Sequence, residues 1–253
     1  MPDAILTVDD LTLHFGSLAA LSGVSFDVRP GETFGVIGPN GAGKTTLLNC
    51  ISGTLRPSSG TVNLRGDRLT GLSAYKVARL GIARTFQIAE SFRSFTVLDY
   101  VLLGRSSWRP SSFWRCGIST PGTSRADREQ VAIARGLLAK HGLSDVADRQ
   151  LRELSYGHQK MADMVRALAA EPQILLLDEP TSGSSAHERV ELREVMSMLR
   201  DTGITTVVVD HDVSFVSSSC SRVFAMASGA PIGIGTPQEV LAMPELIQSY
   251  LGG

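Results

Sequence analysis

TFGVIGPNGAGKTTLLNCI, from Thr33 to Ile51, is the stretch of sequence that decides the fold. Its centre, GPNGAGKT, matches the phosphate-loop pattern G-x-x-x-x-G-K-[ST] at every fixed position. The five residues before the loop are typical of a short buried strand, and Lys44 to Ile51 are typical of a helix. Because this strand–loop–helix order is the context that the pattern requires, we predict that the chain binds ATP or GTP.

Each residue type in the loop contributes to holding phosphate. Glycines allow a tight turn and bring backbone N–H groups to phosphate oxygens. Lys44 would reach the outer phosphates, and the Thr45 hydroxyl would hold Mg²⁺. The predicted nucleotide-binding set is therefore Gly38, Pro39, Asn40, Gly41, Ala42, Gly43, Lys44, Thr45 and Thr46.

Two carboxylates follow a second apolar strand, Ile174 to Leu177, in the sequence ILLLDEP. This order places Asp178 at the carboxyl edge of the sheet, where open α/β sheets bind ligands. Asp178 would hold Mg²⁺ through water, and Glu179 would orient or deprotonate the attacking water. An isolated acidic pair is more often a solvated turn, but the upstream phosphate loop and the rigid Pro180 favour a catalytic role here.

A second anion site is predicted at LSYGHQK, Leu154 to Lys160. A Ser-x-Gly turn that opens a helix presents backbone N–H groups, a hydroxyl and the positive end of the helix dipole. The chain already has one phosphate loop, so this turn is expected to serve a nucleotide held by another copy. Ser155, Tyr156 and Gly157 would then complete an active site begun by the partner.

The order of the predicted elements indicates an α/β fold. Apolar strands alternate with helices before residue 88 and after residue 166, which predicts a mostly parallel sheet covered on both faces. Short strands at Ile5 to Val8, Leu11 to Phe15 and Val24 to Val28 precede it. Helical patterns dominate between the two parts. We therefore expect one domain over residues 1–253, with a nucleotide-binding core at 1–87 and 167–253 and a helical subdomain at 88–166.

Composition excludes several classes of protein. The chain has 253 residues, 43% of them hydrophobic, and a net charge of −1, so no overall field attracts nucleic acid or an anionic membrane. The three cysteines lack metal-type spacing and suit a reducing compartment. No apolar run approaches the roughly 20 residues of a membrane span, and the N-terminus lacks the pattern of a signal peptide. We expect a cytosolic protein that reaches a membrane only through a partner.

These motifs together resemble the ATP-binding subunits of ABC transporters over essentially the whole chain. Three further residues carry the resemblance. Gln87 in ARTFQ lies at the Q-loop position, His211 in VVVDHD lies at the switch-histidine position, and Phe15 in LHFG lies where the family stacks an aromatic ring on adenine. The resemblance implies a RecA-like P-loop core, an antiparallel β arm and an inserted α-helical subdomain.

The resemblance also implies a mechanism in which two subunits sandwich two ATP molecules. Glu179, His211 and Gln87 would be catalytic, with His211 contacting the γ-phosphate. Thr45, Gln87 and Asp178 would hold Mg²⁺. The resemblance implies that the chain is a peripheral protein at the cytoplasmic face of the cell membrane. The implied partners are transmembrane permease subunits, a solute-binding protein in the complete system, and either a second copy or a related ATPase, but no nucleic acid.

The subfamily follows from ARTFQ, TVLDYVLLG, LSYG in place of LSGG, and the tail GTPQEVLAMPELIQSYLGG. These segments resemble the ATPases of branched-chain amino acid importers, whose near relatives take up urea or amides. The alternative is a lipopolysaccharide-export ATPase, a group that generally lacks the long stretch found here at 105–125. Soluble ABC ATPases acting on DNA or ribosomes usually join two units or carry insertions, and a kinase or GTPase switch needs no LSYGH segment.

Some positions depart from the family pattern. His158 stands where a glutamine or glutamate usually follows the second glycine of the signature, and Ser184 and Ser185 replace an apolar anchor and an often acidic residue. The arginine- and tryptophan-rich stretch at 105–125 is either a surface loop or a contact with the permease or lipid headgroups. Because Glu179 is retained, we predict active hydrolysis.

Overall fold

The computed structural model describes residues 4–85, 90–105 and 125–251, and these form two compact units. The larger unit consists of Met1–Arg84 and Gln173–Gly253, and the smaller unit of Thr85–Pro172. The sequence-based boundaries at 87/88 and 166/167 therefore differ from the structure. The second one falls inside a helix that runs without a break from Tyr156 to Leu168.

A six-stranded sheet forms the centre of the larger unit, in the order β10-β9-β3-β8-β7-β6. Neighbouring strands from β9 to β6 are parallel, and β10 joins β9 in the antiparallel sense at the edge. The strands are β3 (Thr33–Ile37), β6 (Ile82–Arg84), β7 (Ile174–Asp178), β8 (Thr205–Val209), β9 (Arg222–Ala227) and β10 (Ala230–Gly235).

A four-stranded antiparallel sheet forms the β arm of the same unit, in the order β2-β1-β4-β5. Its first strand runs continuously where the sequence suggested two strands, because the Asp9–Asp10 step is accommodated as a shift in register between Val8 and Leu11. The strands are β1 (Leu6–Phe15), β2 (Leu18–Val28), β4 (Ser59–Leu64) and β5 (Asp67–Arg68).

Among the described residues of the larger unit there are six α-helices. The sequence pattern of α6 shows how they form: Ser185 caps its first turn, while Leu192, Val195, Met196 and Leu199 lie on one buried face. The helices are α1 (Lys44–Ile51), α2 (Ala74–Arg79), α6 (Ala186–Asp201), α7 (Val213–Ser219), α8 (Pro237–Leu241) and α9 (Pro244–Leu251).

The core of the larger unit contains residues from both sheets. Phe26 of the β arm stacks on Phe34 of β3, with ring centroids 5.1 Å apart, and lies at the same distance from Phe224 of β9. These three rings are almost completely buried. Packing of this kind fixes β3 laterally, and β3 is the strand that leads into the phosphate loop.

In the part of the smaller unit that the structure describes, three α-helices pack together: α3 (Val97–Gly104), α4 (Arg125–Lys140) and α5 (Tyr156–Leu168). Gly104 allows α3 to approach α5 closely, because a Cβ there would lie 1.9 Å from the Arg166 carbonyl oxygen. The buried Asp163 carboxylate accepts hydrogen bonds from the Tyr100 hydroxyl and from Arg166 Nε, each at 2.8 Å. Burial raises the pKa of Tyr100, so this hydroxyl remains a donor at neutral pH.

None of the helices in the described part of the chain has both the length and the apolar character needed to span a bilayer.

Candidate active site

At two positions in the loop between β3 and α1, only glycine can adopt the observed backbone conformation. Gly38 and Gly43 have φ angles of 156° and 98°. A Cβ on Gly38 would lie 2.0 Å from the Met226 carbonyl oxygen, and one on Gly43 would lie 2.5 Å from the Ala20 carbonyl oxygen. These close approaches explain why the pattern has glycine where it does.

Lys44, the first residue of α1, is buried beneath this loop. Its Nζ donates hydrogen bonds to the carbonyl oxygens of Gly38 and Pro39, at 2.7 and 2.8 Å. Burial lowers the pKa of the Lys44 ammonium below its ordinary value, while nearby carboxylates act in the opposite direction. Those carboxylates belong to Glu179, Asp210 and Asp178.

A cleft of about 470 Å³ opens beside the loop and is the size of a small-molecule site. Phe15, at the end of β1, is half exposed and forms part of its wall. The cleft therefore brings together the predicted adenine-stacking residue, the phosphate loop and Glu179 of the acidic pair. Its other lining residues are Leu18, Ala19, Ala20, Asn40, Gly41, Ala42, Gly43, Lys44, Thr45, Thr46 and Ser228.

The acidic pair lies where β7 ends. Asp178 Oδ2 accepts a hydrogen bond from Arg84 Nη2 at 2.7 Å, and Arg84 Nη1 also donates to Asn49 Oδ1 of α1 at 2.6 Å. Arg84 thus connects the carboxylate to the helix that follows the phosphate loop. Glu179, the next residue, adopts a left-handed backbone with φ of 45°.

His211 lies at the end of β8, beside the acidic pair. Its Nδ1 is 3.9 Å from Glu179 Oε2 and 3.4 Å from Asp210 Oδ1. Because β8 pairs with β7 in parallel, the two predicted catalytic side chains extend from neighbouring strand ends. Gln87, the third predicted catalytic residue, lies outside the described residues, as does the stretch at 106–124.

The signature turn belongs to the smaller unit and is built as an N-cap. The Ser155 hydroxyl accepts a hydrogen bond from the His158 N–H at 3.3 Å and lies 2.9 Å from His158 Nδ1. Ser155 and Tyr156 are exposed at the start of α5, whereas Gly157 is buried. His158, which departs from the family pattern, therefore contacts the signature serine through both its backbone and its ring.

Sequence reasoning missed Arg84 and Asp210, which contact the predicted residues Asp178 and His211, and Thr181, which donates hydrogen bonds to Asp210. Asp210 offered the clearest signal, because it is an acidic residue that ends the fully apolar run VVV directly before His211. Arg84 likewise ends a short apolar strand, close to Gln87 in the sequence. Their partners come from distant segments, so their roles depended on the fold.

A buried lysine under a glycine-rich loop, with carboxylates at the ends of strands in the same parallel sheet, is the arrangement of P-loop nucleotide-hydrolysing proteins. Within that class the chain belongs to the ABC transporter family, whose family model matches residues 21–182. It is an ATPase of this family, and the α/β fold expected from the sequence is confirmed.

Known proteins match the chain from end to end. It is 37% identical to the high-affinity branched-chain amino acid transport ATP-binding protein LivG of Salmonella typhimurium, over 100% of this chain and 99% of that protein. The corresponding protein BraF of Pseudomonas aeruginosa is 34% identical with the same coverage. The solved ADP conformation of MJ1267, an ATP-binding cassette of an ABC transporter, superposes with a TM-score of 0.88 at 30% identity and covers 99% of both chains.

Proposed function

We propose that this chain is the motor subunit that hydrolyses ATP to drive import of branched-chain amino acids through separate membrane subunits. The observation that carries this proposal is the end-to-end similarity to LivG and BraF, which are named as branched-chain amino acid transport proteins. These relatives favour amino acid import over the urea, amide and lipopolysaccharide alternatives. The cleft beside the phosphate loop, with Glu179 in its lining and His211 close to Glu179, supports the chemistry of hydrolysis.

ATP would enter with its adenine near Phe15 and its phosphates at the loop. Lys44 Nζ, which donates to two loop carbonyls, is placed to exchange them for phosphate oxygens, which are stronger charge-assisted acceptors. Glu179 would orient or deprotonate the attacking water, and His211, close to it, would contact the γ-phosphate. The role of Gln87 at the metal or water stays a prediction from the family resemblance.

The oxygen donors near the loop suit Mg²⁺. The Thr45 hydroxyl is exposed at the start of α1, and the Asp178 carboxylate lies at the sheet edge. Within the described residues, no group of three or more acidic, histidine or cysteine side chains could hold a metal ion. This agrees with an ion that takes most of its ligands from phosphate and water, as Mg²⁺ commonly does. When bound, Mg²⁺ would neutralise charge on the transferred phosphoryl group.

We infer that the exposed Ser155 turn binds the nucleotide of a second copy. The N-terminus of α5, the Ser155 hydroxyl and the backbone N–H groups of the turn offer an anion site, and the chain already has its own phosphate loop in the larger unit. ATP would join the two protomers, and hydrolysis would release them. Pairing with a related ATPase is the alternative arrangement. Either pair would attach to permease subunits at the cytoplasmic face of the membrane.

Uptake measurements in the source cell test this proposal. Disrupting the gene should abolish ATP-dependent uptake of radiolabelled leucine, isoleucine and valine. Reintroducing the parent gene should restore uptake, and the matched Lys44→Ala gene should not, because it removes a charged phosphate contact. Unchanged amino acid uptake after disruption, or loss of urea or amide uptake instead, would contradict the proposed substrate class.

A further inference from the structure

The backbone of Glu179 is in a conformation that a residue with a side chain adopts only at a cost. Its φ of 45° is in the left-handed region, which favours glycine. Such a conformation persists where the surrounding contacts over-determine it, and it recurs at functional sites. The contacts that hold the Glu179 backbone therefore constrain the point from which its side chain extends.

Two consecutive residues, Val209 and Asp210, accept hydrogen bonds from Glu179 and from Thr181, two residues further along the chain. The Glu179 N–H donates to the carbonyl oxygen of Val209 at 2.7 Å. Two residues later, the Thr181 N–H and hydroxyl donate to Asp210 Oδ2 and Oδ1, at 2.9 and 2.7 Å. The strained segment is thus anchored before and after Glu179 to the end of β8.

Asp210 also contacts the loop that carries His211. Its carboxylate also accepts a hydrogen bond from the Asp212 N–H at 2.9 Å, and Oδ1 lies 3.4 Å from His211 Nδ1. Asp210 is fully buried, and a buried carboxylate is costly unless donors surround it. The donors here come from Thr181 and Asp212, on the two loops that carry Glu179 and His211, so one side chain links both loops.

We propose that Asp210 and Thr181 are positioning residues that together fix the orientation of the Glu179 carboxylate and the His211 ring. Both are almost completely buried and neither lines the cleft, so they act through the Glu179 and His211 side chains, which are 37% and 50% exposed. This inference rests on the proposed catalytic role of Glu179. Loss of either partner should leave ATP affinity intact and slow hydrolysis.

Two substitutions at Thr181 separate the hydroxyl from the bulk of the side chain. Thr181→Val keeps the shape but removes one donor to Asp210, and it should slow single-turnover ATP hydrolysis about tenfold. Thr181→Ser keeps the hydroxyl and should stay within about threefold of the parent rate. ATP affinity, measured by binding of a fluorescent ATP analogue, should change less than about twofold in both variants. Asp210→Asn, which replaces one acceptor by a donor, should match Thr181→Val.

The decisive comparison repeats Thr181→Val in a background that carries both Glu179→Ala and His211→Ala. If Thr181 acts through Glu179 and His211, the valine should slow the residual single-turnover rate less than about twofold there. A full tenfold loss in that background, or a parent-like rate for Thr181→Val alone, would overturn the positioning role. A parent-like rate for Glu179→Ala would instead overturn the proposed role of Glu179.

Discussion

The guanidinium of Arg84 and the carboxylate of Asp178 form an ion pair of 2.7 Å, although the two residues are 94 positions apart in sequence. The arginine side chain is 7% exposed and the aspartate side chain 20%, so water screens the pair weakly. Arg84 also donates to Asn49 of α1. The metal-binding carboxylate predicted at β7 is therefore held by a residue of β6 that also contacts the phosphate-loop helix.

Replacing Arg84 by glutamine should destabilise the protein by about 3 kcal/mol, because it leaves a partly buried carboxylate without its charged partner. The corresponding decrease in Tm is roughly 6–12 °C. Thermal unfolding measures it, and Arg79→Gln is the matched control because Arg79 is exposed on α2. An Arg84→Gln Tm equal to that of the control would show that the ion pair contributes nothing to stability.

Two adjacent serines should respond to alanine with opposite signs. The Ser184 Oγ is buried and has no hydrogen-bond partner among the described residues, so Ser184→Ala should stabilise the protein by about 1 kcal/mol. Ser185 caps α6, with its hydroxyl accepting from the Glu188 N–H, so Ser185→Ala should destabilise by about 1 kcal/mol. Tm values of the two variants that shift in the same direction would contradict this assignment.

Local sequence patterns predicted the parts of the site that are each formed by one continuous segment of the chain. The phosphate loop and the acidic pair both follow buried apolar strands, and the structure places Lys44 and Glu179 in one cleft. Asp178 and His211 lie at strand ends of the same sheet. Predictions for Gln87 and for the trans role of Ser155 stay predictions.

Other features depended on contacts between distant segments. The strand β10, APIGIG, contains one proline and two glycines, which disfavour strand, and it is stabilised by antiparallel pairing with β9. The first half of β2 is largely exposed, so no burial pattern indicated it. The left-handed Glu179 backbone is likewise maintained by Val209 and Asp210 across the sheet, which no pattern in DEP reveals.

The buried thiols should be unreactive in the native protein. Burial raises the pKa of Cys50 to about 11 and that of Cys220 to about 12. Since thiolate forms only as pH approaches the pKa, at pH 8 roughly 0.1% of Cys50 and a smaller fraction of Cys220 would be ionised. In a Cys116→Ser variant, a thiol-specific chromogenic disulfide should therefore label neither cysteine rapidly, and both after unfolding. Fast labelling of the native variant at pH 8 would contradict their burial.

In the proposed dimer, ATP joins two copies of the chain, with the Ser155 turn of one facing the Lys44 loop of the other. Light scattering of Glu179→Gln tests it directly, because nucleotide should bind while cleavage stalls. With Mg²⁺ and ATP the particle mass should rise to twice the 27.0 kDa of one chain, and Ser155→Ala introduced into this variant should prevent the rise. A single-chain mass with bound ATP, together with full hydrolysis by monomeric parent protein, would contradict the proposed dimer.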